Sequence, residues 1–483
     1  MKSMKLARKA TCAFGVVPMT SALALVISLN LSAQNQNWPQ WRGPTGNGTA
    51  EGAKPPTTWS QTENLAWKTE IPGEGHSSPV VWGDRVFVMT AVPGEAPDNP
   101  PEPGGRRNAG APDRRPDGPP PGAERGQGPG RGGRFGPPGG GRFGGGDPVS
   151  TAPMKFMTLC LDRRTGKILW EKTGHVSPPV EGRHRTNTYC SGSPVTDGSV
   201  VISNFSSYGI YCYDMDGNVM WEKDLGDMRT RNGFGEGSSP ALHGDTVFIL
   251  WDTEDESWLY ALDKNTGEQK WKKARDEKTG WTTPYVLTHN GVTQVVVNAS
   301  NKVRSYRVDD GSLLWECSGQ TTNAIPSVVY DGDVVYAMSG YRGNTAMAIS
   351  LGGEGDISGS DKILWTLNRG TPYVPSPLLY DGYIYFCKGN DAFFSCVDTK
   401  NGKVEYGEER LPDISGVYSS PVGADGKVYL CGQNGITMVI KAGKNLEILA
   451  SNDIGEPINA SPAIVGDSLL IRGNKHLFCI SNK

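Results

Sequence analysis

One short unit recurs along most of this chain, and it limits the fold more than any other feature. Its clearest copy runs from Gly237 to Trp271. Ser239-Pro240 opens a first strand, and His243-Gly244-Asp245 turns into a second, Val247 to Trp251. A third strand ends at Ala261-Leu262-Asp263, and Asn265-Thr266-Gly267 turns into a fourth that is capped by Trp271. Short β-branched and aromatic runs between Gly, Asn and Asp turns are the mark of an antiparallel meander.

The start of the unit recurs at Ser78-Pro79, Ser193-Pro194, Ser239-Pro240, Ser376-Pro377, Ser420-Pro421 and Ser461-Pro462, with variants at Thr283-Pro284 and Pro326-Ser327. That makes eight starts. The outer strand ends in Trp170, Trp221, Trp271, Trp315, Trp365 and Tyr406, with Leu449 read as the equivalent in a degenerate seventh unit. The eighth start has no outer strand before Lys483, whereas Leu65-Ala66-Trp67-Lys68-Thr69 is an outer strand with no start. A ring resolves both facts, because the N-terminal strand then completes the last blade and hides the sheet edges. The prediction is an all-β, eight-bladed β-propeller of four-stranded antiparallel blades, spanning 65–483. A linear solenoid would leave the first strand unexplained.

The pattern Ala-x-Asp-x-x-Thr-Gly-x-x-x-Trp, from Ala261 to Trp271 and, with Cys in the first place, from Cys160 to Trp170, resembles the quinoprotein-type (PQQ-like) propeller repeat. Members of that family include PQQ-dependent alcohol dehydrogenases and BamB-type outer-membrane assembly proteins. Trp38-Pro39-Gln40-Trp41-Arg42-Gly43-Pro44 and Gly75-His76-Ser77-Ser78-Pro79 are similar to its secreted bacterial branch. The resemblance implies the fold. A fold hosts many sites, so function needs separate evidence.

Residues 1–33 read as a targeting segment. Lys2, Lys5, Arg8 and Lys9 precede an apolar run from Ala13 to Leu31, and Leu31-Ser32-Ala33 is a cleavage site. An uncleaved anchor is the competing reading, against which Pro18, Ser21, Ser28 and Asn30 count. Cys12 precedes the apolar run, the wrong place for lipid attachment. The expectation is a periplasmic or secreted protein with no transmembrane segment after cleavage. Residues 34–64 are expected to form an irregular leader packed over the propeller wall, with Trp38 and Trp41 supplying buried area and a ligand-facing role for Trp41 and Arg42 as the alternative.

Residues 93–150 form a Pro/Gly/Arg-rich insert within a hairpin of blade one, between strands placed at Arg85 to Thr90 and Phe156 to Asp162. So few apolar residues cannot offset ordering entropy, and disorder is expected. Arg-Gly runs bind RNA elsewhere. Here they alternate with Glu95, Asp98, Glu102, Asp113, Asp117 and Glu124 in a chain of net charge −3, so no nucleic-acid partner is expected.

Eight cysteines follow Cys12. Cys160, Cys212, Cys396 and Cys479 share the slot that Ala261 fills, where a small residue is wanted, so buried thiols are expected; Cys387 with Cys396 is the one pair that invites a disulfide test. The resemblance implies that a quinone-binding member carries adjacent cysteines over the cofactor, a calcium ion held by carboxylate and amide oxygens, and an Asp base. The sequence has no Cys-Cys, and no Asp, Glu or Asn matches those motifs residue by residue. Asp214 to Asn218 has its Gly too early for a calcium loop and reads as a turn. No Gly-x-Ser-x-Gly, His-Glu-x-x-His, phosphate loop or Cys-x-x-Cys-His occurs.

Geometry supplies the candidate site. The links that enter each first strand converge on one mouth of the channel and bring His76, Asn187, Tyr189, Glu236, Trp281, Asn323, Tyr373, Tyr418 and Asn459 together. The competing reading is that they plug the channel and satisfy one another. The expected function is an exported, non-catalytic scaffold that binds an envelope protein, a peptide or a small ligand there, without cofactor or metal. The alternative is a PQQ- and calcium-dependent oxidoreductase acting on alcohols or sugars. A third reading, carbohydrate binding, needs Trp281, Tyr373 and Tyr418 exposed in a row.

Overall fold

The computed structural model describes residues 37–94 and 149–482; the targeting segment and all but the ends of the Pro/Gly/Arg-rich insert lie outside them. The described residues form eight sheets arranged as a β-propeller, each with four antiparallel strands, and one sheet gains a fifth strand. Blade one consists of Val80–Trp82, Arg85–Pro93, Met154–Asp162 and Ile168–Ser177, numbered from the channel outwards. Its central hairpin is longer than expected, with unbroken register from Arg85↔Asp162 to Pro93↔Met154. Blade eight takes Ala463–Val465, Ser468–Arg472 and His476–Ser481 from the C-terminus, and Leu65–Glu70 pairs with His476–Ser481 as its outer strand. Among the described residues no helix is long and apolar enough to cross a membrane.

The repeat residues now have physical roles. Trp271 stands directly across the strand pair from Ala261, Trp170 from Cys160, Trp221 from Cys212, and Trp67 from Cys479. The small slot therefore gives room to a cross-strand indole. In the seventh blade the residue at this position is Ala450, opposite Val439, and not Leu449, which is left unpaired at the bulge between Val439 and Ile440. All eight described cysteines are buried thiols; Cys387 faces Phe394, while Cys396 faces Tyr385 and Tyr406.

Each indole also ties its blade to the next. Nε1 of Trp67, Trp170, Trp221, Trp271 and Trp365 donates to the backbone carbonyl of Arg163, Met215, Lys264, Val308 and Thr399, at 2.7–3.1 Å. The turn glycine of the next blade lies on the ring: a Cβ on Gly267 would be 2.7 Å from Trp221. Trp315 differs and donates to Gln294 Oε1 in its own blade. There the extra loop of blade five intervenes, because Gly355–Asp356 adds a fifth, parallel strand to the outer edge of blade four.

Only the second half of the leader lies on the wall, where Trp59 N donates to Asn452 Oδ1 on the outer strand of blade seven and the Trp59 ring stacks on Tyr429. The first half runs across the end of the channel opposite the candidate mouth. Trp38 forms a bridge with Val81, Thr196 N donates to Pro39 O, Tyr285 hydroxyl to Thr45 O, and Asn47 Nδ2 to Tyr330 O. Ala50 N then donates to Gly423 O, and Lys54 N to Asp467. Blades one, two, four, five, seven and eight are thereby tied to one segment. Trp38, at 1 % exposure, supplies the apolar contact.

Candidate functional site

Every inner strand begins with a hydroxyl residue, and those hydroxyls form a closed belt. Ser78 N donates to Ser193 Oγ at 2.9 Å, Ser193 N to Ser239 Oγ at 2.9 Å, and Ser239 N to Thr283 Oγ1 at 3.2 Å. The series continues through Ser327, Ser376, Ser420 and Ser461 at 2.8–2.9 Å, and Ser461 N returns to Ser78 Oγ at 3.0 Å. The Pro that follows in seven of the eight starts has no N–H, so the innermost edge presents no unpaired donor there.

Above the belt lies a cavity of about 350 Å³. Belt hydroxyls and the Trp41 indole, whose Nε1 reaches Ser461 Oγ at 3.4 Å, form its floor. His76, Asn187, Glu236, Trp281, Tyr373, Tyr418 and Asn459 all line the cavity. Tyr189 does not; its ring lies under the Arg183 guanidinium, 5.3 Å away, against the cluster that holds Phe156 and Tyr208. Asn323 is also outside, 2 % exposed in a left-handed conformation (φ 57°), and it accepts from Arg231 Nη1 at 2.8 Å.

Other side chains also line the cavity. For Trp41 packing was the first expectation and a ligand-facing role the alternative, and the ring forms part of the floor. Its neighbour Arg42 is indeed buried and donates to Pro421 O and Pro377 O, both at 2.5 Å. Tyr341 comes from a hairpin loop of blade five and stacks on Tyr373 with centroids 4.8 Å apart. His184 joins the wall with its ring edge-on to Phe234 at 5.0 Å. Trp281, Tyr373 and Tyr418 are half-buried around one cup, and they are not ranged along an open surface.

The asparagines are already spoken for. Asn187 Oδ1 accepts from Thr188 N and Ser191 Oγ, and its Nδ2 donates to Phe234 O and Glu236 O. Asn390 Oδ1 accepts from Val374 N, and Asn459 Oδ1 from Gln433 Nε2. Trp281 is held by its Nε1 on Gly235 O at 2.7 Å. These are the positioning bonds of a preformed wall. Two titratable groups in it are strongly perturbed. Burial pushes the Glu236 carboxyl up to about 8, against the hydrogen bonds it accepts from the amide and hydroxyl of Ser207. Burial also holds the His76 imidazole neutral, down to about 3, with Arg472 and Arg183 adding to the effect.

Glu236 is the one carboxylate in the lining, and among the described residues no group of three His, Cys, Asp or Glu stands close enough to hold a metal.

The family profile described as "Outer membrane protein assembly factor BamB" matches residues 157–406. The quinohemoprotein alcohol dehydrogenase of Comamonas testosteroni superposes with a TM-score of 0.54 at 11 % identity, covering 95 % of this chain and 82 % of that one. The computationally designed protein Ika8 gives 0.50 at 11 % identity over 70 % of this chain and 97 % of its own. BamB from Moraxella catarrhalis gives 0.33 at 13 % identity over 70 % and 83 %. No curated protein matches the sequence. At these identities the first two of these likenesses bear on the fold alone.

Proposed function

Because the chain belongs to the PQQ-like, BamB-type propeller family, we propose that it is an exported, non-catalytic binding protein of the cell envelope. Its cavity holds a small ligand, or a side chain of a partner protein, at the channel mouth. The observation that carries this reading is the cup itself. It is closed below by the leader and floored by a hydroxyl belt. Its walls are aromatic rings fixed by internal hydrogen bonds, so binding needs little reorganisation. Export rests on the basic and apolar start of the sequence.

Calorimetric titration of the mature protein with PQQ, with and without calcium, tests the non-catalytic half. No tight, calcium-dependent binding is expected. Tight calcium-dependent binding that Trp281→Ala and Glu236→Ala abolish would replace this reading with a quinoprotein oxidoreductase. For the binding half, a photo-crosslinking residue at Tyr418 should capture an envelope component that the same residue at exposed Val219 does not. Equal capture at both positions would count against the cavity.

A further inference from the structure

The charges behind the cavity floor are unequally distributed. Arg42, at 2 % exposure, lies directly beneath the belt, where it donates to the carbonyls of Pro377 and Pro421, the residues that follow belt members Ser376 and Ser420. Arg472, also at 2 %, lies behind the adjoining arc and donates to Met89 O and Ser77 O, next to belt residue Ser78. Neither guanidinium has a carboxylate partner among the described residues, and Nε of each is buried without an acceptor. A buried cation without a counter-ion is costly, and its field is little screened in a dry interior. The other buried arginines here, Arg275 and Arg304, do have carboxylates.

The belt hydroxyls over these two ions have donors to spare. Ser78, Ser420 and Ser461 each accept one backbone N–H, and none gives its own O–H to any acceptor among the described residues. A hydroxyl can accept and donate at once, so this arc points several O–H donors at whatever rests on it. The opposite side of the cavity, on blades two and three, has no such guanidinium behind its belt residues; Glu236 faces in there, its carboxyl held protonated by burial. Trp281 and the stacked Tyr341–Tyr373 pair stand between the two sides, and Tyr418 stands over Ser420.

We propose that the ligand of this cavity is an organic carboxylate with a flat apolar body. Its carboxylate rests on the hydroxyls of Ser420, Ser461 and Ser78 above the Arg42 and Arg472 guanidiniums, and its body packs against the aromatic wall. This deepens the binding reading above and rests on it. The carboxylate belongs to a free acid or to the C-terminus of a peptide, which share this chemistry.

Two matched pairs of compounds test the proposal on the mature protein: benzoate against benzamide, and N-acetylphenylalanine against its amide. Calorimetry and tryptophan fluorescence give the affinities. At least one acid should bind tenfold or more tightly than its amide, and the better acid identifies the source. Arg42→Met and Arg472→Met should each shrink that ratio at least threefold while leaving the affinity for the amide in place. If Arg42→Met does not fold, Arg472→Met and Ser420→Ala carry the test, with circular dichroism to confirm the fold. Equal or tighter binding of the amide overturns the carboxylate assignment and leaves the cavity reading standing. Failure of all four compounds at tens of millimolar overturns both.

Discussion

The backbone amide of Ser461 donates to the hydroxyl of Ser78 at 3.0 Å, across 383 positions of sequence. This bond closes the propeller at its axis, as the pairing of Leu65–Glu70 with His476–Ser481 closes it at the rim. Each of the other belt bonds joins blades that are neighbours in sequence. Only here must the first and last blades meet, so the loop-closure entropy of the ring is concentrated at this junction.

Ser78→Ala should therefore destabilise the protein by about 1–3 kcal/mol, because it leaves the buried Ser461 amide without an acceptor. Ser78→Thr keeps the hydroxyl and should restore most of that loss. Urea unfolding of both variants measures the difference. An alanine variant as stable as wild type would show that the belt bond contributes nothing net.

Much of the architecture could be read from the sequence because the repeat is local. Ser-Pro starts and outer-strand tryptophans recur along the chain, and the stray strand at Trp67 required a ring. The tryptophans do not end their strands as expected, since Trp170 and Trp271 are each the third residue of an outer strand that runs on to Ser177 and Arg275. The belt could not be read, since a hydroxyl's partner lies in the next blade and a Ser-Pro dipeptide looks like an ordinary strand start. Most of the predicted mouth residues do line the cavity because they precede the belt by only a few residues. Tyr189 and Asn323 stand four residues before the belt, whereas His76, Trp281, Tyr418 and Asn459 stand two before it, and in those two links Ser191 and Ile325 hold the lining position. Tyr189 and Asn323 instead meet Arg183 and Arg231. Trp41 and Tyr341 reach the cavity from a leader and a hairpin loop, whose paths depend on tertiary packing that no periodicity encodes.

The outer ring offers a separate test at Gly267. This residue has φ 71°, a conformation that favours glycine, and its missing Cβ makes room for the Trp221 ring. Gly267→Ala imposes both backbone strain and a clash, and should cost about 1–3 kcal/mol. Gly244→Ala, also at positive φ but with open space around it, should cost less. The difference in melting temperature between the two variants isolates the contact with the indole.

Glu236 and His76 make opposite contributions to the pH dependence of stability. The Glu236 carboxyl, raised by burial from 4.5 to about 8, binds its proton more tightly in the folded state. Its contribution is complete below pH 4.5 and is lost as pH rises to about 8. His76, lowered by burial from 6.5 to about 3, binds its proton less tightly when folded. Its contribution is complete above pH 6.5 and is lost as pH falls towards 3. The two slopes oppose each other between 4.5 and 6.5, so the loss due to Glu236 should show alone between 6.5 and 8. Glu236→Gln should flatten the stability curve in that window, as read from urea midpoints at half-unit steps. An unchanged slope in the variant would mean that Glu236 is already ionised in the folded protein.

The last prediction concerns the joint between blades three and four. Arg275 and Asp252 are both fully buried and meet through two bonds, Nε–Oδ1 at 2.8 Å and Nη2–Oδ2 at 3.1 Å. Arg275 Nη1 also donates to the Tyr306 hydroxyl of the next blade at 2.7 Å. Removing one member leaves the other as an uncompensated buried charge, so Asp252→Ala should cost about 3–5 kcal/mol. Tyr306→Phe removes one hydrogen bond and leaves the pair intact, and should cost about 0.5–1.5 kcal/mol. If the first loss is chiefly the stranded charge, then Asp252→Leu with Arg275→Leu should be more stable than Asp252→Ala alone, since the pair itself adds little net stability. Denaturant unfolding of the three variants decides the point. A double variant at least as destabilised as the single would instead mean that the pair is worth more than the apolar packing that could replace it.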